Sequence, residues 1–106
     1  MNDNIEYIRL ATSETEVLAQ LAEECAELAQ AALKLRRALK PGGSPTPCSV
    51  SEAVIHFHEE IADVLVCLRV TGRVGNATLL PPIESIMRSK TERWAQRIGR
   101  REANDT

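Results

Sequence analysis

Two short acidic motifs of the same form could do chemistry in this sequence. Residues 23–27 have the sequence EECAE and residues 59–63 have the sequence EEIAD, 36 positions further along. Side chains three residues apart lie on the same side of a helix, and four of these acids have that spacing. These four, the acidic quartet, are Glu24, Glu27, Glu60 and Asp63. Carboxylates brought close together repel unless a cation lies among them, so the repeat indicates a site for a positive ion.

The helices that must position the quartet can be located from capping residues and apolar periodicity. Ser13 with Glu16, and Ser49 with Glu52, each have the form of a capping box at the start of a helix. The predicted helices span residues 14–39, 50–72 and 82 onward, with a short helix over 4–11. No stretch alternates with a period of two, so we predict an all-α fold, an antiparallel bundle of about four helices.

On both long helices the quartet lies at the border of the predicted apolar face. The apolar arc of the first helix is about 120° wide, with Glu24 at its edge and Glu27 outside it. Glu60 and Asp63 have the same relation to the arc of the second helix. Packing of these two helices would bring the four carboxylates to one seam. Acids that simply face the solvent are the alternative.

A hard divalent cation would remove the repulsion at such a seam. Mg²⁺ is the usual ion, because it accepts carboxylate ligands and bridges substrate phosphates. Ferritin-like di-iron proteins instead use a Glu-x-x-His motif, and neither His56 nor His58 follows a glutamate by three positions. Magnesium is therefore favoured over iron. His56 lies on the side of the carboxylates, as either a contact of the site or a structural histidine.

The last predicted helix carries cations beside its apolar stripe, on which Trp94 is an expected core residue. The cations are Lys90, Arg93 and Arg97. Long cationic side chains at such positions can extend along the helix to an anion. A polyphosphate could bind to a metal held by carboxylates and to cationic side chains nearby. Cys25 and Cys67, close to the motif acids, are expected to be small packing residues.

These residues resemble the MazG-type all-α nucleoside triphosphate pyrophosphohydrolases, whose signature is Glu-Glu-x-x-Glu followed by Glu-x-x-Asp on two helices. The matching residues here are Glu23, Glu24, Glu27, Glu60 and Asp63. The segment 90–93, KTER, is similar to the family's basic segment. The resemblance implies Mg²⁺-dependent hydrolysis of a nucleoside triphosphate, deoxy or non-standard ones included, to the monophosphate and pyrophosphate.

The same resemblance implies roles for individual residues. The quartet would hold Mg²⁺, or Mn²⁺ as a substitute, and Glu23 would be an outer residue or orient the attacking water. The residues expected to bind the substrate are Lys90, Arg93 and Arg97. A noncatalytic helical protein that binds a metal, a nucleotide or a basic partner is the alternative to an enzyme.

Composition sets the remaining expectations. A chain of 106 residues suits a single domain over 1–106, with a Pro/Gly-rich loop at 40–49. Its core would be marginal, so we expect the bundle to be completed by oligomerisation, as a homodimer or homotetramer.

The net charge of −2 offers no overall attraction for nucleic acid. Three cysteines without a CxxC pair, and no apolar run of about 20 residues, predict a cytoplasmic protein with no membrane partner.

Overall fold

A computed structural model describes residues 3–40, 49–74 and 80–105. Its four α-helices are α1 (Asp3–Ala11), α2 (Glu14–Leu39), α3 (Val50–Val70) and α4 (Pro81–Asp105). The all-α class and the four predicted helices are thereby confirmed. Most of the predicted 40–49 loop lies outside the described residues. The chain groups into two compact units, Met1–Arg73 and Val74–Thr106, which we call unit 1 and unit 2 and describe separately.

The helix ends form at the residues that the capping signals indicate. Ser13 Oγ accepts a hydrogen bond from the Glu16 backbone N–H at 3.2 Å, and Glu16 Oε1 accepts one from the Ser13 N–H at 3.2 Å, so the capping box is complete. Ser49 Oγ accepts from the backbone N–H of Glu52 at 3.1 Å at the start of α3. Gly72, with φ of 78°, adopts the left-handed conformation that ends α3.

The main packing interface of unit 1 lies between α2 and α3, which run antiparallel. Val17 and Gln20, near the start of α2, line the same cavity as Val66 and Val70, near the end of α3, and this requires opposite chain directions. The buried apolar residues among those described are mostly small: Ala31, Ala53, Cys67 and Val70. Small side chains allow the two helices to approach closely, so the seam between them can bring side chains from both helices together.

The side chain of Arg9 holds α1 against the C-terminal end of α3. Its Nε donates to the carbonyl of Val70 at 3.0 Å, and its Nη2 donates to the carbonyl of Arg69 at 2.9 Å. Carbonyls in the last turn of a helix lack intrahelical partners and attract cations. Glu6 forms an ion pair with Arg9 at 2.7 Å. The helix α1 therefore covers one end of the α2–α3 pair.

The apolar arc of α2 is only partly covered within the described part of unit 1. Val17 and Leu21 are half-buried against the rest of the unit, whereas Leu18 and Leu39 are 48% and 60% exposed. Cys25, expected to be a packing residue, is exposed, so that prediction is wrong. The physical reason is that α3 contacts a strip narrower than the whole apolar arc, which leaves the rest of the arc in solvent.

In unit 2, α4 is the one helix that the structure describes. It begins at Pro81, as the proline pair predicts. Trp94 is 62% exposed, so its assignment to a core is wrong, because no second helix is described within this unit to cover the stripe. None of the helices in the described ranges combines the length and apolarity needed to cross a bilayer.

Candidate metal centre

The acidic quartet comes together at the seam between α2 and α3. One oxygen from each of the four side chains can be chosen so that all four lie within 4.8 Å of one another. Each helix supplies two carboxylates, one turn apart, as their three-residue spacing predicts. Glu23 is exposed and lies outside the group of oxygens. Four anionic oxygens on two facing helices are a ligand set suited to a hard divalent cation.

The members of the quartet differ in burial, and Glu60 is more deeply placed than the sequence predicts. Glu60 is 9% exposed and Glu24 is partly buried, whereas Glu27 and Asp63 are exposed. We call the first two the inner carboxylates and the last two the outer carboxylates. The predicted position at the edge of the buried face agrees with the partial burial of Glu24 and is wrong for Glu60, which is buried.

Each inner carboxylate has one oxygen in contact with a neighbouring side-chain nitrogen and one oxygen without a partner. Gln20 Nε2 donates to Glu24 Oε1 at 2.7 Å, and His56 Nε2 lies 3.2 Å from Glu60 Oε1. The second oxygens, Glu24 Oε2 and Glu60 Oε2, are buried and have no hydrogen-bond partner among the described residues. A buried oxygen without a partner is costly, so both atoms fit a bound cation.

Gln20 and His56, the residues that contact the inner carboxylates, differ in whether the sequence indicates a role for them. For His56 the sequence left two interpretations open, and the side chain lies 3.2 Å from Glu60, one of the four clustered acids. Sequence reasoning missed Gln20, because an exposed glutamine on a helix carries no signal of its own. The signal that could have found it is the repeat, since Gln20 and His56 are also 36 positions apart.

Electrostatics at the seam follow from the crowding of carboxylates. The hydrogen bond from Gln20 lowers the pKa of Glu24, but burial and repulsion from Glu27 and Asp63 together raise that pKa above its ordinary value. Burial also raises the pKa of the Cys67 thiol, and the carboxylates of Glu24 and Asp63 raise it further. Cys67 is therefore a protonated, buried thiol near neutral pH, as expected for a packing residue and not for a nucleophile.

An apolar cavity continues the same seam beyond the quartet. It has a volume of about 310 Å³ and lies within unit 1, lined by Ile8, Thr12, Glu16, Val17, Gln20, Val66, Cys67 and Val70. Gln20 is part of this wall and also contacts Glu24, so the cavity and the quartet adjoin. Its size is at the lower limit of small-molecule sites. A ligand whose anionic group bound to a metal ion at the quartet could place an uncharged portion here.

The predicted substrate-binding cations lie on one side of α4. Lys90, Arg93 and Arg97 are exposed and line a surface depression together with Trp94. They belong to unit 2, whereas the quartet belongs to unit 1. Their role in substrate binding stays a prediction.

Comparisons of this chain with known protein families, curated proteins and solved structures found no match. Function is therefore inferred from the residues of this chain alone.

Proposed function

We propose that this chain is a Mg²⁺-dependent nucleoside triphosphate pyrophosphohydrolase of the MazG type, which accepts Mn²⁺ as a substitute and acts in the cytoplasm. The observation that carries the proposal is the acidic quartet, with its four oxygens within 4.8 Å and two buried oxygens that lack partners. The order of the motifs, Glu-Glu-x-x-Glu and then Glu-x-x-Asp, supports the choice of reaction. The free thiols of Cys25 and Cys67 support a reducing compartment.

The quartet provides what a catalytic magnesium site requires. Its ligands are all carboxylate oxygens, and the two outer carboxylates are exposed, so the site is open to a substrate on the solvent side. A bound Mg²⁺ would lower the pKa of a coordinated water and neutralise charge on the phosphates. The inner carboxylates would hold the ion from the buried side of the seam, and the outer carboxylates from the side that the substrate approaches.

Hydrolysis would proceed without a covalent enzyme intermediate. The oxygen of a water molecule would bond to the α phosphorus, and the bond from that phosphorus to the oxygen bridging to the β phosphate would break. The proton lost by the water would pass to the solvent, and the monophosphate and pyrophosphate would be the products. Glu23 would orient the water or support the ligands from outside. Lys90, Arg93 and Arg97 would bind the anionic phosphates. The cavity beside Gln20 would receive part of the nucleoside.

A nucleotide panel tests this proposal. With Mg²⁺ present, the protein is expected to convert at least one standard, deoxy or damaged nucleoside triphosphate to its monophosphate and pyrophosphate, measured as pyrophosphate release. Release of single phosphates would show that the broken bond lies between the β and γ phosphates, contrary to the proposal. No turnover with any member would favour the noncatalytic metal- or nucleotide-binding protein.

The proposal includes assembly as a homodimer or homotetramer. Exposed apolar residues on both helices of the seam support it, among them Leu18 at 48% and Ile55 at 58% exposure, because a second copy could cover the part of the α2 arc that α3 leaves free. Light scattering at micromolar concentration is expected to give two or four times the chain mass of 11.7 kDa.

A charge placed on the exposed apolar surface should disrupt that assembly. Ile55→Glu is expected to lower the mass towards that of one chain, whereas Glu59→Gln, on the same helix but already polar and exposed, should leave it unchanged. A monomer mass for the wild-type protein would contradict the expected assembly.

A further inference from the structure

We infer that Gln20 and His56 are a matched pair of positioning residues, one on each helix, that aim the second oxygens of Glu24 and Glu60 into the metal site. The inference rests on the metal centre of the proposed function, but it does not depend on which reaction the metal supports. Neither residue belongs to the acidic motifs from which the site was predicted.

The same geometry occurs on α2 and on α3. Each positioning residue stands four positions before its carboxylate, which places it one turn away on the same side of the helix. Gln20 Nε2 is 2.7 Å from Glu24 Oε1, and His56 Nε2 is 3.2 Å from Glu60 Oε1. In both cases it is Oε2 that is buried without a hydrogen-bond partner among the described residues. In each case a side-chain nitrogen one helical turn away lies against one oxygen of the inner carboxylate and leaves the other oxygen for the ion.

Holding one oxygen matters because a glutamate side chain turns about three bonds. An unrestrained carboxylate at a crowded seam would rotate away from its neighbours, and it would lose that freedom only when the ion bound. Neighbours that donate to a metal-binding carboxylate fix its orientation in advance, and their loss commonly weakens metal binding 10- to 100-fold. Gln20 and His56 are placed to do this for the two ligands that lie deepest.

A purely structural role explains the pair less well. His56 Nδ1 is buried and has no hydrogen-bond partner in the described part of the chain, so the ring is not held at both nitrogens as a core histidine usually is. Gln20 is exposed, and its contact adds little to a helix as long as α2. Both residues contact an inner carboxylate. Gln20 and His56 are 36 positions apart, as are Glu24 and Glu60.

The test measures binding of Mn²⁺ alone, by electron paramagnetic resonance or calorimetry, without nucleotide. Gln20→Leu and His56→Leu are each expected to weaken Mn²⁺ binding at least about 10-fold. Gln20→His and His56→Gln retain an N–H donor at each position, and are expected to stay within about threefold of the wild-type protein. His58→Leu is the matched control, since His58 is an exposed histidine on the same helix.

Circular dichroism identifies any variant that fails to fold, and Gln20→Ala or His56→Ala then replaces it, because alanine favours the helix at either position. Equal Mn²⁺ affinity for the wild-type protein and the folded leucine or alanine variants would overturn the inference, as would the absence of Mn²⁺ binding by the wild-type protein. Weakened binding restored by the donor-retaining variants would support it. That support would hold even if the nucleotide panel showed no turnover, a result that would overturn the hydrolase alone.

Discussion

Asp63→Asn and Glu27→Gln are each expected to lower the rate of pyrophosphate release by about 100-fold or more. An amide keeps the size of the carboxylate and removes the negative charge that would bind the ion. Both outer carboxylates are exposed, so without Mg²⁺ the substitutions should lower the free energy of unfolding by no more than about 0.5 kcal/mol. A large loss of rate in a protein whose ion-free stability is retained would separate a catalytic role from a structural one.

Glu59→Gln is the matched control for this experiment. Glu59 is an exposed glutamate on α3, directly before Glu60, and it is not one of the four clustered acids. The same substitution there should leave the rate within about twofold of the wild-type protein, since a surface change of this kind has little effect. Equal losses for Glu59→Gln and Asp63→Asn would show a general effect of charge and would contradict a specific role for the quartet.

Lys90→Ala provides a second contrast, with a different kinetic signature. A cation that only binds the phosphates of the substrate contributes to the ground state and the transition state alike, so its loss should raise KM with little change in kcat. Asp63→Asn should instead lower kcat. Initial rates over a range of nucleotide concentrations at fixed Mg²⁺ distinguish these two results.

The helices could be predicted from sequence because capping and apolar periodicity are local rules, and the quartet could be predicted because each acid pair lies on one side of a helix that has to pack against the other. The Ser13 capping box acts over three residues and forms as expected. The spacing of Glu24 with Glu27, repeated 36 positions later, places each acid pair on one side of its helix wherever that helix lies. Once α2 and α3 pack through those sides, the four carboxylates must meet.

The full burial of Glu60 could not be predicted, because it depends on how wide a strip the partner helix covers. A wheel of α2 shows where apolar residues concentrate, but it does not show that Leu18 stays 48% exposed while Glu24 is partly buried. The exposure of Trp94 was missed for the same reason. Helical periodicity identifies a face that can be buried, but tertiary contacts decide which part of that face becomes buried.

Mg²⁺ is expected to raise the melting temperature of the wild-type protein by about 10 °C or more at 100 times its dissociation constant. Binding to the folded state alone contributes about 2.7 kcal/mol at that concentration, and each kcal/mol shifts the melting temperature of a domain this size by about 4–8 °C. Glu60→Gln should remove most of the rise, because Glu60 supplies a buried oxygen that has no partner among the described residues.

Without Mg²⁺ the same substitution should act in the opposite direction. Glu60 is 9% exposed and stands among three other carboxylates, so a neutral amide relieves both the burial of a charge and the repulsion. The amide keeps an oxygen for the contact with His56 Nε2. The ion-free Glu60→Gln protein is therefore expected to melt no lower than the ion-free wild-type protein, and the wild type should become the more stable of the two only when Mg²⁺ is added.

This reversal is what distinguishes a metal site from a group of acids facing solvent. Exposed acids would give two proteins with similar melting temperatures and equal, small responses to Mg²⁺, a result that would remove the basis for the metal centre. Glu59→Gln, measured alongside by differential scanning calorimetry, should respond to Mg²⁺ as the wild-type protein does, since it changes the net charge equally but lies outside the quartet. A reduced response in that control would mean that Mg²⁺ acts through overall charge and not through the four clustered oxygens.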